Sequence, residues 1–176
     1  MTRLFVLDFD KTLIPYDSWN RFLRKIILRS PIRIGIALFL RRIGVLSRGE
    51  LKREITNVVA NNKRLRTFSD SFIKTVSKDV VLPSLLFGMN DIKLVILSAS
   101  PMCYMCYLNK YLDCKCDVVG SDYIAGEYVE MYGEQKLNYL KNHYSHDQYK
   151  YEYAMSDSES DMIWMLEFEH CELKKN

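Results

Sequence analysis

Hydrophobic and polar positions change period several times along this chain, and each change predicts an element. Residues 3–7, Arg-Leu-Phe-Val-Leu, form a short apolar run that reads as a strand buried on both faces, as in a parallel sheet. It runs directly into Asp8-Phe9-Asp10. Beyond Ile14 the period becomes helical: Trp19, Phe22, Leu23, Ile26 and Ile27 recur at i, i+3, i+4, i+7 and i+8. Pro31 interrupts that helix, and residues 32–43 predict a second, apolar on nearly all sides and therefore expected to be buried. Ser47 and Glu50 have the spacing of a capping box for a third helix carrying Leu51, Ile55, Val58 and Val59. A basic turn is expected over 61–66, with Ser69 or Asp70 capping a fourth helix around Phe72, Ile73 and Val76.

The second half alternates. Residues 92–97 predict another buried strand, 102–111 a helix, 116–119 a short strand, and 121–131 a hairpin turned at Ala125-Gly126. A helix over 133–143, a strand over 151–155 and a final helix over 157–168 follow. Strands alternating with helices imply an α/β fold built on a parallel sheet, with a helical block inserted after the first strand. The expected division is a core of residues 1–15 and 88–176 and a helical cap of residues 16–87.

Composition adds bounds. The chain has 176 residues, 48% hydrophobic and 27% charged, as in a globular domain. The longest uncharged apolar run, 34–40, is far short of the roughly 20 residues a membrane span needs, and no secretory signal is visible, so the expected location is cytoplasmic. Five cysteines at 103, 106, 114, 116 and 171 read as reduced thiols rather than a zinc site, since neither close pair lies on a Gly- or Pro-stiffened turn. A net charge of +3 conceals an asymmetry: residues 1–93 hold 18 of the 25 Lys and Arg but 8 of the 22 Asp and Glu. That split implies two functional surfaces.

The candidate chemistry clusters at strand ends. Asp8 and Asp10 are crowded carboxylates that a bound cation would reconcile, and open α/β sheets bind ligands beyond the carboxyl ends of their strands. Ser98-Ala99-Ser100-Pro101 follows the second long strand, where a hydroxyl and free backbone N–H groups attract phosphate. Lys136 stands one turn into a helix, and the run 156–161 offers Asp157 and Asp161 at i and i+4.

In their order, Asp8-Phe9-Asp10-Lys11-Thr12, Ser98-Ala99-Ser100-Pro101, Gly133-Glu134-Gln135-Lys136 and Ser156-Asp157-Ser158-Glu159-Ser160-Asp161 resemble the four motifs of the haloacid dehalogenase superfamily of phosphohydrolases. The similarity is greatest to its phosphoserine phosphatase-like branch, and it covers essentially the whole chain. The resemblance implies a Rossmann-like sheet flanked by helices and a Mg²⁺-dependent phosphatase working through an aspartyl-phosphate. It further implies Asp8 as nucleophile and Asp10 as acid and base, with Ser98, Ala99 and Lys136 on the phosphoryl oxygens and Thr12 supporting the loop. Magnesium would be held by Asp8, the Asp10 carbonyl and Asp157, with Asp161 nearby. Ser156 stands where many relatives have glycine. Asp17 and Ser18, close behind the first motif, are placed to face the ligand.

The substrate expected is a phosphorylated small molecule or a lipid-linked phosphate, with phosphoryl transfer to another acceptor as a variant of the same chemistry. Residues 17–87 hold 15 Lys and Arg against 5 Asp and Glu, which makes the cap a candidate for peripheral contact with an anionic membrane. The rival reading is an idle protein of the same fold that binds membrane or nucleic acid through that cap. Nucleic acid is not expected, because no exposed aromatics interleave with the basic residues.

Overall fold

Strand β1 (Thr2–Leu7) lies in the middle of the sheet, and its alternating side chains feed two separate cores. Phe5 and Leu7 enter one, Leu4 and Val6 the other. This computed structural model describes residues 1–86 and 91–174. The expected domain boundary between residues 87 and 88 lies outside the described residues.

Six strands are ordered β4-β3-β2-β1-β5-β6, with β2 at Ile92–Pro101, β3 at Asp117–Ile124, β4 at Glu127–Val129, β5 at Tyr149–Ser156 and β6 at His170–Leu173. Every pairing is parallel except the β3–β4 hairpin, which turns at Ala125-Gly126 as expected. The fold is thus α/β, a Rossmann-like parallel sheet flanked by helices. β1 pairs with β2 on one side and β5 on the other, so the chain reverses its direction of winding there. Such a reversal opens a crevice beyond the strand ends.

Between β1 and β2 the chain forms α1 (Ser18–Ile26), α2 (Pro31–Arg42), α3 (Arg48–Ala60) and α4 (Lys63–Val76). Their inner faces join the Phe5–Leu7 core: Phe22, Ile55, Phe72 and Ile73 belong to one continuous apolar cluster with Ile96 and Tyr104. The capping box at Ser47 and Glu50 forms. Two expectations fail here. Helix α4 starts at Lys63, because the Asn62 side chain accepts from the N–H groups of Arg64 and Leu65, and Ser69 lies inside the helix, fully buried. Helix α2 is not buried all round; only Ile34 and Ala37 are, while Ile32, Ile36 and Phe39 face out.

The helices after β2 and β5 are also shorter than their patterns predict. Helix α5 is one turn, Met102–Met105, followed by a 3₁₀ turn at Leu108–Lys110, and α7 is one turn, Met162–Met165. Helix α6, Glu134–His143, matches its expectation. Strand β6 has no period-2 signal and forms by parallel pairing along β5 at the sheet edge. No helix among the described residues is long and apolar enough to cross a membrane.

Candidate active site

Beyond the ends of β1, β2 and β5 lies a cleft of about 200 Å³, lined by Asp8, Asp10, Asp17, Ser98, Ala99, Lys136, Asp157 and Asp161, among others. Of the residues predicted for the site, Thr12 and Ser18 are absent from this lining: Thr12 donates from Oγ1 to Asp8 Oδ2 at 3.2 Å, and Ser18, expected to face the ligand, is buried behind Asp10.

The ladder of β1 stops at Leu7, although the Asp8 N–H still reaches the Met155 carbonyl of β5 at 2.8 Å. The chain then turns tightly, with Lys11 at a φ of 56°. Asp8 and Asp10 therefore share the cleft without sharing an extended strand, and their partners differ. Lys136 Nζ, fully buried, donates to Asp8 Oδ1 at 2.7 Å and to Asp161 Oδ2 at 2.6 Å. Burial opposes its charge, but the two carboxylates overcome that and raise its pKa. Asp161 is further fixed by the Ser156 hydroxyl at 2.7 Å, so the serine in the place of a glycine gains a definite partner.

Asp10 has neutral donors. The Ser18 N–H reaches Oδ1 at 2.6 Å and the Ser100 hydroxyl donates to Oδ2, while Ser18 Oγ continues to Ser100 Oγ at 3.2 Å and Tyr104 Oη at 3.0 Å. Burial pushes Asp10 up, against the opposing effect of these hydrogen bonds. Asp8 is pushed up to about 7, first by burial, with Lys136 pulling it back and Asp161 adding to the rise. Asp157 is likewise raised, by burial first, with Lys11 opposing.

Ser98 is buried, and its Oγ accepts the Ser100 N–H at 3.1 Å. The motif does join β2 to a helix beginning at Met102, but β2 runs on through Pro101, which stands at the N-cap of the one-turn α5 and not at its first position, and no side chain caps that helix. The strand end leaves room only because Gly120 of β3 passes beside it; a Cβ there would collide with the Ser100 carbonyl oxygen. Asp17 caps α1, accepting from Asn20 N at 2.8 Å, and lies on the cleft wall.

Sequence reasoning missed Lys52. It projects from α3 and is 1% exposed; its Nζ donates to the Ala99 carbonyl at 2.8 Å and pairs with Glu130. Arg48, one turn earlier, also lines the cleft, as do Trp19 and Tyr132. The only signal was the i, i+4 pair of basic residues on α3, which reads equally as a solvated face.

These residues bring together a carboxylate beside a buried ammonium, a second carboxylate held by a hydroxyl and a backbone N–H, and an oxygen-only set able to hold a hard cation. A family model described as haloacid dehalogenase-like hydrolase matches residues 5–165. Among solved structures, the chain is similar to a protein of unknown function from Bordetella pertussis Tohama I, at 17% identity and a TM-score of 0.61, covering 93% of this chain and 86% of that one. It is similar to a HAD family hydrolase from Salmonella enterica subsp. enterica serovar Typhi, at 16% identity and a TM-score of 0.50, covering 94% of this chain and spanning 60% of that protein's length. A phosphoserine phosphatase solved as a phospho-aspartyl intermediate analogue is similar at 11% identity and a TM-score of 0.50, covering 99% of this chain and 95% of that one. At these identities the likeness is one of fold. No curated protein matches the chain in sequence.

Proposed function

This chain belongs to the haloacid dehalogenase-like hydrolases, and from that premise we propose that it hydrolyses a phosphate monoester through an aspartyl-phosphate on Asp8. The observation that carries the reading is Lys136, buried between Asp8 and Asp161 at the floor of the cleft. An ammonium there orients the Asp8 carboxylate and balances charge on a transferring phosphoryl group.

In the first half-reaction an Asp8 oxygen attacks phosphorus, the ester P–O bond breaks, and Asp10 gives its proton to the departing alkoxide. The two carboxylates are suited to different tasks by their surroundings. Burial raises both, but Asp8 faces the Lys136 ammonium, which favours its ionised form, whereas the hydrogen bonds to Asp10 come from the neutral Ser18 N–H and Ser100 hydroxyl. In the second half-reaction Asp10 takes a proton from water as its oxygen attacks the phosphorus, releasing inorganic phosphate and restoring Asp8. Ser98, and the backbone at Ala99, hold phosphoryl oxygens at the end of β2. Thr12 keeps Asp8 in place.

The donor set fits a magnesium ion: all its ligands are hard oxygens, and burial raises both Asp8 and Asp157, a cost a cation would relieve. Asp8, Asp157 and the Asp10 carbonyl would hold it, with Asp161, already engaged by Ser156 and Lys136, as its neighbour. When bound, Mg²⁺ supplies positive charge to the phosphoryl oxygens.

The helices of residues 16–87 act as a cap that selects the substrate, with Arg48 and Lys52 giving a second anionic group something to bind. The substrate is a phosphorylated small molecule or the head of a lipid-linked phosphate. An idle binding protein is the weaker reading, since crowded buried carboxylates serve no purpose in one. The test is phosphate release from a panel of phosphoserine, sugar phosphates and lipid phosphates, with Mg²⁺ and with a chelator. Release from at least one class, abolished by the chelator, is expected; no release from any class refutes the proposal.

A further inference from the structure

Helix α2 has two apolar faces, and among the described residues only one is covered. Ile34 and Ala37 are buried against the rest of the insertion. Ile32, Ile36, Phe39 and, at the C-cap, Ile43 recur at i, i+4, i+7 and i+11, which forms a single stripe at 3.6 residues per turn. They are 77%, 56%, 60% and 55% exposed. Leu28 before the helix and Val45 after it extend the patch. Of thirteen exposed large hydrophobic side chains among the described residues, six fall in this stretch of eighteen residues, which makes a patch rather than a scatter.

Charge selects the occupant. From residue 18 to residue 49 the chain carries eight Lys and Arg and no Asp or Glu. On a helical projection Arg33 and Arg42 flank the stripe on opposite sides, and both are exposed. Arg24, Lys25 and Arg29 add charge at the end of α1. A second copy of this chain would set the same cations against one another. A surface that is anionic and apolar at once complements both properties, and long arginine stems can lie on the apolar layer while their heads reach phosphates.

We propose that the outer face of α2 seats this protein in the interface of an anionic lipid bilayer. Ile32, Ile36, Phe39 and Ile43 enter the boundary between headgroups and acyl chains, and the flanking arginines contact headgroup phosphates. The helix adsorbs and does not span: its 12 residues reach about 18 Å, against a hydrocarbon thickness of about 30 Å. The inner side of the same insertion carries Arg48 and Lys52 of the cleft, so the seated protein holds its cap at the membrane.

The test is co-sedimentation of the full chain with vesicles of phosphatidylcholine plus phosphatidylglycerol, and of phosphatidylcholine alone, at low and high salt. Binding to the anionic vesicles, weakening as salt rises, is expected. An Ile36→Gln/Phe39→Gln variant, changed only at exposed positions, should partition about tenfold less or worse. Its turnover of a soluble aryl phosphate should be unchanged. Absence of binding to anionic vesicles at low salt, equal binding by the variant, or equal binding to phosphatidylcholine alone would each overturn the proposal. So would sedimentation velocity showing a dimer that the same variant dissolves. Binding is read without turnover, so its failure leaves the proposed hydrolysis standing.

Discussion

Asp10 is held by the Ser100 hydroxyl and the Ser18 N–H rather than by a cation, so its protonation depends on neutral donors that a single substitution can remove. Replacing Ser100 by Ala removes the donor to Oδ2 and opens the chain of hydroxyls through Ser18 to Tyr104. Because proton transfer to a leaving group contributes about 10²–10⁴-fold, the Ser100→Ala variant should lose about tenfold in kcat with KM little changed, as steady-state kinetics on an aryl phosphate would show. The raised carboxylates also set a pH dependence of stability. Asp8 titrates about 7 when folded against 3.8 as its ordinary value, so the native state binds more protons between them. Stability from this group is complete below the lower value and is lost as pH rises through the upper; Asp10 and Asp157 act in the same direction. The metal-free chain should therefore unfold at lower urea at pH 8 than at pH 5, and Mg²⁺ should narrow the difference. At this scale the candidate site was largely legible, because Asp8, Ser98 and Asp157 fall at or just after strand ends, which are visible in a hydrophobic pattern, and Lys136 lies in the first turn of a helix that the pattern also predicts. Lys52 and Glu130 were not, since their pairing joins a helix to a hairpin 78 positions further along the chain.

Elements were legible where burial is one-sided and obscure where tertiary contacts decide. The stripe of α1 and the alternation of α and β survive intact, whereas α2 carries apolar residues on nearly all sides and its pattern does not say which side is covered. The start of α4 was hidden by a choice among several capping residues; Asn62 wins because Leu65 must reach the core. Replacing Asn62 by Ala should cost about 1 kcal/mol, measured by urea denaturation. Helix α3 is tied to the cleft by Lys52, which holds Ala99 and Glu130 together. A Lys52→Met variant should lose about 1–3 kcal/mol, discounted because Glu130 is partly exposed, and Lys52→Met with Glu130→Gln should lose less than the sum of the two.

At the scale of the whole molecule, the parallel sheet fixes where the candidate site lies, and the role proposed for the insertion is to set what reaches it. The reversal of winding at β1 places Asp8, Ser98 and Asp157 at the ends of three adjacent strands, although 149 positions separate the first from the last. The charge asymmetry read from the sequence resolves into a carboxylate-rich cleft at the strand ends and a predominantly basic insertion, whose residues 18–49 carry no Asp or Glu. The central claim is that phosphate passes through Asp8. The most direct measurement is acid quench of the Asp10→Asn variant during Mg²⁺-dependent turnover, followed by peptide mass spectrometry, because a weakened base should let the phosphoenzyme accumulate. Phosphate on Asp8, absent when Asp8 is also replaced by Asn, is the expected result. Phosphate on another residue, or full Mg²⁺-dependent turnover by the single Asp8→Asn variant, would contradict it.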